Sequence, residues 1–258
     1  MKISLIITVL NAESCLRKAV DSFLAQEYVD KELIILDGKS QDGSHKIIAE
    51  YQQKFPHLIK WIKESDSGIS QARNIALRHV TGDLVGFLGA DDFLHKDFYA
   101  KMAYYTAMNP DFDVMYFNSY TVGNNSSFDN SAQIKMTKRN LTKLCPIGSG
   151  ESFYYRRAVF DATQFNEKNR YSMDYELNMA LVSSGKYRFF PVNIAAVFNG
   201  SYGESISFFN SLKQRLETVA VQLKYAQSFK EKFNILYCKK KLVLKNFKTF
   251  CEIKKIIS

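Results

Sequence analysis

Short apolar runs alternate with amphipathic stretches through the first hundred residues. Ile3–Val9, Glu32–Leu36, Leu58–Lys63 and Leu84–Leu88 read as strands. Between them, residues 12–26 place Leu16, Ala19, Val20, Phe23 and Leu24 on one helical face, with Asn11 as the expected cap. Ser44–Lys54 and Ile69–His79 read as two further helices. Short apolar strands separated by helices predict a parallel sheet covered on both faces. Such sheets bind ligands at the carboxyl ends of their strands. Asn11, Asp37 and the adjacent pair Asp91 and Asp92 all fall at such ends.

After Pro110 the rhythm changes. Phe112–Ser119 and Glu151–Tyr155 read as strands, Val122–Ser131 as a polar loop, and Met173–Ser184 as a helix stopped by Gly185. Tyr187–Phe190 and Ile194–Phe198 read as two more strands, which would complete the same sheet as a mixed one. From about Ile206 onward the pattern is helical, and no internal repeat or Pro- or Gly-rich linker is visible.

Composition refines this picture. At 258 residues and 46% hydrophobic, the chain can bury a sizeable core. No apolar run reaches the roughly 18 residues that span a bilayer, and Ile3–Leu10 fits a buried strand better than a signal-peptide core. Cys15, Cys145, Cys238 and Cys251 have no paired spacing and read as reduced thiols of a cytoplasmic protein. The net charge of +9 is unevenly placed: from Lys213 onward there are 12 basic and 3 acidic residues, against 23 of each sign before it. Basicity confined to the tail gives no support to nucleic-acid binding by the main domain.

The candidate chemistry lies in "GDLVGFLGADDFL", where a buried strand runs into Asp91 and Asp92. Two adjacent carboxylates at about 4 Å repel by roughly 1 kcal/mol in water and about 4 kcal/mol at an effective dielectric of about 20. A divalent cation, Mg²⁺ or Mn²⁺ shared with substrate phosphates, would relieve that repulsion. The bland alternative is one acid capping the next helix and the other facing water. Upstream, "ESDSGISQARN" sets a polar loop before a helix that carries Arg73, a guanidinium suited to phosphate or to Asp37 or Asp91.

These residues carry a resemblance. "ISLIITVLNAESCLRKAVDSFLAQEYVDKELIILDGKSQDGS" and "SDSGISQARNIALRHVTGDLVGFLGADD" resemble the nucleotide-binding half of family 2 glycosyltransferases of the GT-A fold. A weaker likeness continues in "ESFYYRRAVFDATQFNEKNRYSMDYELNMAL", which resembles the acceptor half. The resemblance implies a Rossmann-like α/β fold, its sheet mostly parallel and mixed toward the C-terminal side. Residues 1–204 would form the GT-A domain, 1–110 binding nucleotide and 111–204 acceptor, with 205–258 a basic helical extension. It implies that Thr8 and Leu10 line the base pocket with Asn11 nearby, and that Asp37 hydrogen-bonds the base. Asp66 and Arg73 would hold the nucleotide and its diphosphate, Asp91 the ribose and Asp92 the metal, and Asp174 would be the catalytic base. The chain departs from the pattern twice. Relatives often carry His where Gly148-Ser149-Gly150-Glu151 stands, and the Gln-x-x-Arg-Trp motif of processive synthases is absent, the one Trp being Trp61.

The implied activity is inverting transfer from a nucleotide sugar, usually a UDP-sugar, to a glycan or lipid-linked acceptor, with Mn²⁺ or Mg²⁺ as cofactor. Another nucleotide-sugar enzyme and a non-catalytic nucleotide-sugar binding protein are the rival readings. In the tail, Leu242, Val243, Leu244, Phe247, Phe250, Ile253, Ile256 and Ile257 alternate with lysines. That predicts an apolar stripe flanked by ammonium groups, suited to an anionic membrane surface on the inner face of the cell membrane. A helix packed on the domain with a solvated basic face, or a homodimer contact, is the alternative.

Overall fold

The computed structural model describes residues 1–122, 127–144, 150–200 and 211–257. The parallel half follows the predicted order: β1 (Ile3–Thr8), α1 (Leu16–Leu24), β2 (Lys31–Leu36), α2 (Ser44–Lys54), β3 (Ile59–Ile62), α3 (Ile69–Leu77) and β4 (Leu84–Gly89). The register levels Thr8 with Leu36 on one side and with Gly89 on the other, while Leu36 pairs with Ile62. The loops that leave these strands therefore open along one edge.

The second half adds β5 (Phe93–Leu94), α4 (Phe98–Met108), β6 (Val114–Val122), β7 (Ser127–Asp129), α5 (Lys138–Leu144), β8 (Phe153–Arg156), α6 (Val159–Ala162), α7 (Met173–Ser184) and β9 (Phe189–Gly200). The nine-stranded sheet runs β3-β2-β1-β4-β8-β6-β9-β5, with β7 on β6. It is parallel through β4 and mixed beyond, since β8 is antiparallel to both β4 and β6. Alternate residues of each strand serve opposite faces. Ile6, Ile34, Val85, Phe87 and Tyr155 pack with α3, α7 and the C-terminal helices. Leu5, Ile7, Leu33, Ile35 and Tyr154 pack with α1, α2 and α4.

Several elements differ from the sequence reading. Helix α1 begins at Leu16, and Asn11 does not cap it: Asn11 adopts φ 51°, and its Oδ1 accepts a 2.8 Å bond from the Gln41 N–H. The two expected strands after Gly185 are one, β9, which follows β6 across an irregular register near Asn118. Part of the expected polar loop is strand, because β6 runs to Val122 and β7 pairs back onto it; residues 123–126 lie outside the described residues. A 3₁₀ turn, Gly150–Ser152, replaces the expected start of β8.

The tail is helical, as expected: α8 (Ser211–Tyr225), α9 (Phe229–Lys245) and α10 (Phe247–Ile257). It joins the main core through Leu216, Val219, Ala220, Leu223, Ile235, Val243 and Phe250. The expected stripe is thereby corrected: Val243 and Phe250 are buried against the domain, whereas Leu244 and Phe247 stay exposed. The difference arises because α9 and α10 are separate helices, so one continuous periodicity does not carry across Asn246.

Candidate active site

Thr8 ends β1 and is half-buried, while Leu10 is exposed. Asn11 ties this loop to the one after β2, since its own N–H donates to Ser40 Oγ at 2.9 Å. Asp37, the first residue past β2, is fully buried. Its Oδ1 accepts from the Lys39 and Ser40 N–H groups at 3.2 and 3.0 Å, an Asx-type turn. Its Oδ2 stands 3.1 Å from His45 Nε2 but makes no hydrogen bond. Trp61 Nε1 donates to the Asp37 carbonyl, and its ring lies 5.5 Å from that of His45. Asp66 accepts from the Gly68 N–H at 2.8 Å and fixes the entry to α3.

Asp91 and Asp92 follow β4 after a single residue, Ala90, with Asp92 buried and Asp91 half-buried. A Cβ on Gly89 would come within 2.6 Å of Asp92 Oδ2 and 2.9 Å of Asp91 Oδ1. The carboxylates fold back over the strand end, and only glycine leaves them that space. Burial pushes the Asp91 carboxyl above the usual aspartate range. Among the described residues, no three His, Cys, Asp or Glu side chains form a ready-made metal cage. The hard carboxylate oxygens of Asp92 at this strand end fit a divalent cation that takes its remaining ligands from water and a diphosphate.

Arg73, on α3, is buried between the Phe87 and Phe165 rings, 4.9 and 5.4 Å from their centroids. Its Nη1 donates to Asp174 Oδ1, and its Nη2 lies 3.8 Å from Glu151 Oε1. The guanidinium thus engages two carboxylates from the second half of the chain. Glu151 was not singled out by sequence as a site residue. Burial pushes its carboxyl up, repulsion from Asp174 adds to this, and Arg73 offsets part of it; Asp91 is also within electrostatic reach. Of its segment, residues 148 and 149 lie outside the described residues. A Cβ on Gly150 would fall 2.4 Å from Asp174 Cγ, so the glycine allows this close approach.

Asp174 stands in the first turn of α7, where the helix dipole favours a carboxylate. Glu176, two residues on, points elsewhere. It is buried and accepts from Asn166 and Asn169 side-chain amides and from Lys224 Nζ at 3.0 Å. The tail contributes a second tie: Glu217 of α8 accepts from the Tyr171 and Ser172 N–H groups at 2.7 and 3.1 Å, just ahead of α7. Lone acids in a helical tail carry no sequence signal for such a role. The structure brings Arg73, Glu151 and Asp174 together, within reach of Asp91; Asp37 and Asp66 border the same edge through their loops.

The family model for glycosyl transferase family 2 matches residues 4–163, more than half of the chain. The chain belongs to glycosyl transferase family 2. Among relatives of this family, glycosyltransferase GlyA of Streptococcus pneumoniae is 33% identical over 134 residues, covering 50% of this chain and 18% of its own length. The minor teichoic acid biosynthesis protein GgaA of Bacillus subtilis is 26% identical over 212 residues, covering 77% of this chain and 46% of its own. The chain thus spans less than half the length of either relative.

Solved structures share the fold. Residues 1–349 of S. aureus TarS in complex with UDP-GlcNAc superpose with a TM-score of 0.70 at 16% identity, covering 98% of this chain and 79% of that one. Glucosyl-3-phosphoglycerate synthase of Mycobacterium tuberculosis, in complex with Mn²⁺, UDP and phosphoglyceric acid, gives 0.61 at 19%, covering 87% and 78%. The family 2 member described above is therefore a mixed α/β GT-A fold with a helical C-terminal segment.

Proposed function

We propose that this chain transfers a sugar from a nucleotide sugar, a UDP-sugar by preference, to a hydroxyl of a surface-glycan or lipid-linked acceptor. The observation that carries the reading is the convergence at one sheet edge of the Asp91-Asp92 pair with the Arg73, Glu151 and Asp174 cluster. It is supported by the UDP-GlcNAc complex of a structural neighbour and by the name of the relative GgaA, a minor teichoic acid biosynthesis protein. Thr8, Leu10, Asn11, Asp37 and Asp66 would form the nucleotide side, and Asp91 the ribose contact.

Asp92 would hold Mn²⁺ or Mg²⁺, which when bound supplies charge neutralisation for the leaving diphosphate. The acceptor oxygen attacks the anomeric carbon as the bond to the diphosphate oxygen breaks. Its proton goes to Asp174, and a single displacement of this kind inverts the anomeric centre. Arg73, pinned between two rings, would orient Asp174 by one carboxylate oxygen and leave the other for the acceptor. In this reading residues 1–110 bind donor, 111–204 face acceptor, and 205–258 both brace α7 and carry the enzyme to the inner face of the cell membrane.

A thermal-shift screen of UDP-, GDP- and dTDP-sugars with Mn²⁺ tests it. One donor should raise the melting temperature progressively, with the logarithm of its concentration above saturation, and nucleoside diphosphate should be released slowly without acceptor. A shift without any release under acceptor-rich conditions would favour a binding protein instead.

A further inference from the structure

Helix α9 carries two apolar faces where packing requires one. Ile235 and Val243 are buried in the main core, with Leu242 packed against it. A second face is solvent-exposed: Phe229 (85%), Phe233 (58%), Leu236, Tyr237 (61%) and Leu244 (72%), continued by Phe247 at the start of α10. At about 100° per residue, the five positions on α9 fall within about 100° of arc. They span about 23 Å of the helix at about 1.5 Å per residue. The Phe233 and Tyr237 rings stack at 6.2 Å, and Lys240 Nζ lies 4.8 Å above the Tyr237 ring.

The surroundings of this stripe name its partner. Lys230, Lys232, Lys240, Lys245 and Lys248 are exposed around it. The one acid of α9, Glu231, is turned into the helix start, where it accepts from the Gln227 N–H and pairs with Lys138. An apolar and aromatic strip bordered by ammonium groups, on a helix whose one acid is paired with Lys138, complements an anionic bilayer: rings enter the interface and lysines meet headgroup phosphates. No described helix is long and apolar enough to cross a membrane.

We infer that the Phe229–Phe247 face of α9 docks the protein on an anionic lipid surface as an interfacial helix. This deepens the membrane placement proposed above and rests on no residue of the donor site. Failure here would leave the transferase reading intact.

The test uses the full chain in sedimentation with phosphatidylcholine vesicles, with and without phosphatidylglycerol. Binding should be at least about tenfold tighter with the anionic lipid. The double variant Phe233→Glu, Leu244→Glu, altered only at exposed positions, should lose about tenfold or more while keeping its circular dichroism and melting temperature. In Tyr237→Trp, emission should shift to the blue on adding anionic vesicles, against the constant contribution of Trp61. Undiminished binding by the double variant would assign the attraction to lysines alone and overturn the proposal. So would absence of binding by the native chain. A concentration-dependent blue shift without lipid would assign the face to a second copy of the chain.

Discussion

At the scale of single residues, the site is a problem of like charges. Asp91, Asp92, Glu151 and Asp174 gather around one sheet edge, with Arg73 the cation set among them. The raised carboxyls of Asp91 and Glu151 show what burial without a full complement of counter-charge costs. Asp174 and Glu176 separate cleanly. The first touches Arg73 and the glycine of the 3₁₀ turn, whereas the second is consumed by Asn166, Asn169 and Lys224. Asp174→Asn should therefore lower turnover by at least about 10²-fold, the lower range for a positioned general base, with donor affinity nearly unchanged. Steady-state kinetics beside donor calorimetry reads both. Glu176→Gln should instead lower the melting temperature and leave the turnover of the folded fraction close to normal. An inactive, stably folded Glu176→Gln beside an active Asp174→Asn would reverse the assignment.

At the scale of elements, α8 matters more than its position outside the family match suggests. Glu217 receives the N–H groups of the segment leading into α7, and Lys224 reaches Glu176 one turn further on. Together they fix the start of the helix that presents Asp174. Glu217→Gln keeps the shape and weakens the charge-assisted bonds, so stability should fall by about 1 kcal/mol. If α8 sets the geometry of Asp174, turnover should fall with it while the affinity for donor holds; denaturant melts and kinetics together check this. Legibility from sequence also varies by element. The parallel half was readable because short, mainly apolar strands alternate with amphipathic helices. Helix α4 was not, because FYAKMAYYTAM is apolar on nearly every side and shows no period. Likewise β9 reads as two strands because Pro191 and Asn193 interrupt a continuous run. The candidates Asp91, Asp92 and Asp174 come from sequence motifs, whereas the contacts of Glu151 and Glu217 exist only in the folded chain.

Across the whole molecule, the N-terminal edge of the sheet is bound together by Glu32. Its carboxylate accepts from Ser4 Oγ, from the Thr81 N–H and hydroxyl, and pairs with Lys2 at 2.7 Å. Burial alone would raise its pKa, but these bonds outweigh it and hold the carboxyl down to about 2. A depressed carboxylate stabilises the fold fully above its unfolded pKa, about 4.3, and that contribution is lost as pH falls toward the folded value. Glu32→Gln should thus cost about 1–2 kcal/mol at neutral pH and flatten the acid side of the stability curve. Equal stability of the two proteins at neutral pH would refute this. The proposed site lies at the opposite edge of the same sheet, so the substitution should leave donor binding unchanged.

The claim on which the account turns is that the Asp91-Asp92 edge binds a nucleoside diphosphate through a divalent cation. Isothermal titration of UDP into the native chain and into Asp92→Ala, each with Mn²⁺ and with EDTA, addresses it directly. The account predicts binding by the native chain that is strengthened at least about tenfold by Mn²⁺, and an Asp92→Ala protein in which the metal makes no difference. Metal-stimulated UDP binding that survives unchanged in Asp92→Ala would contradict it.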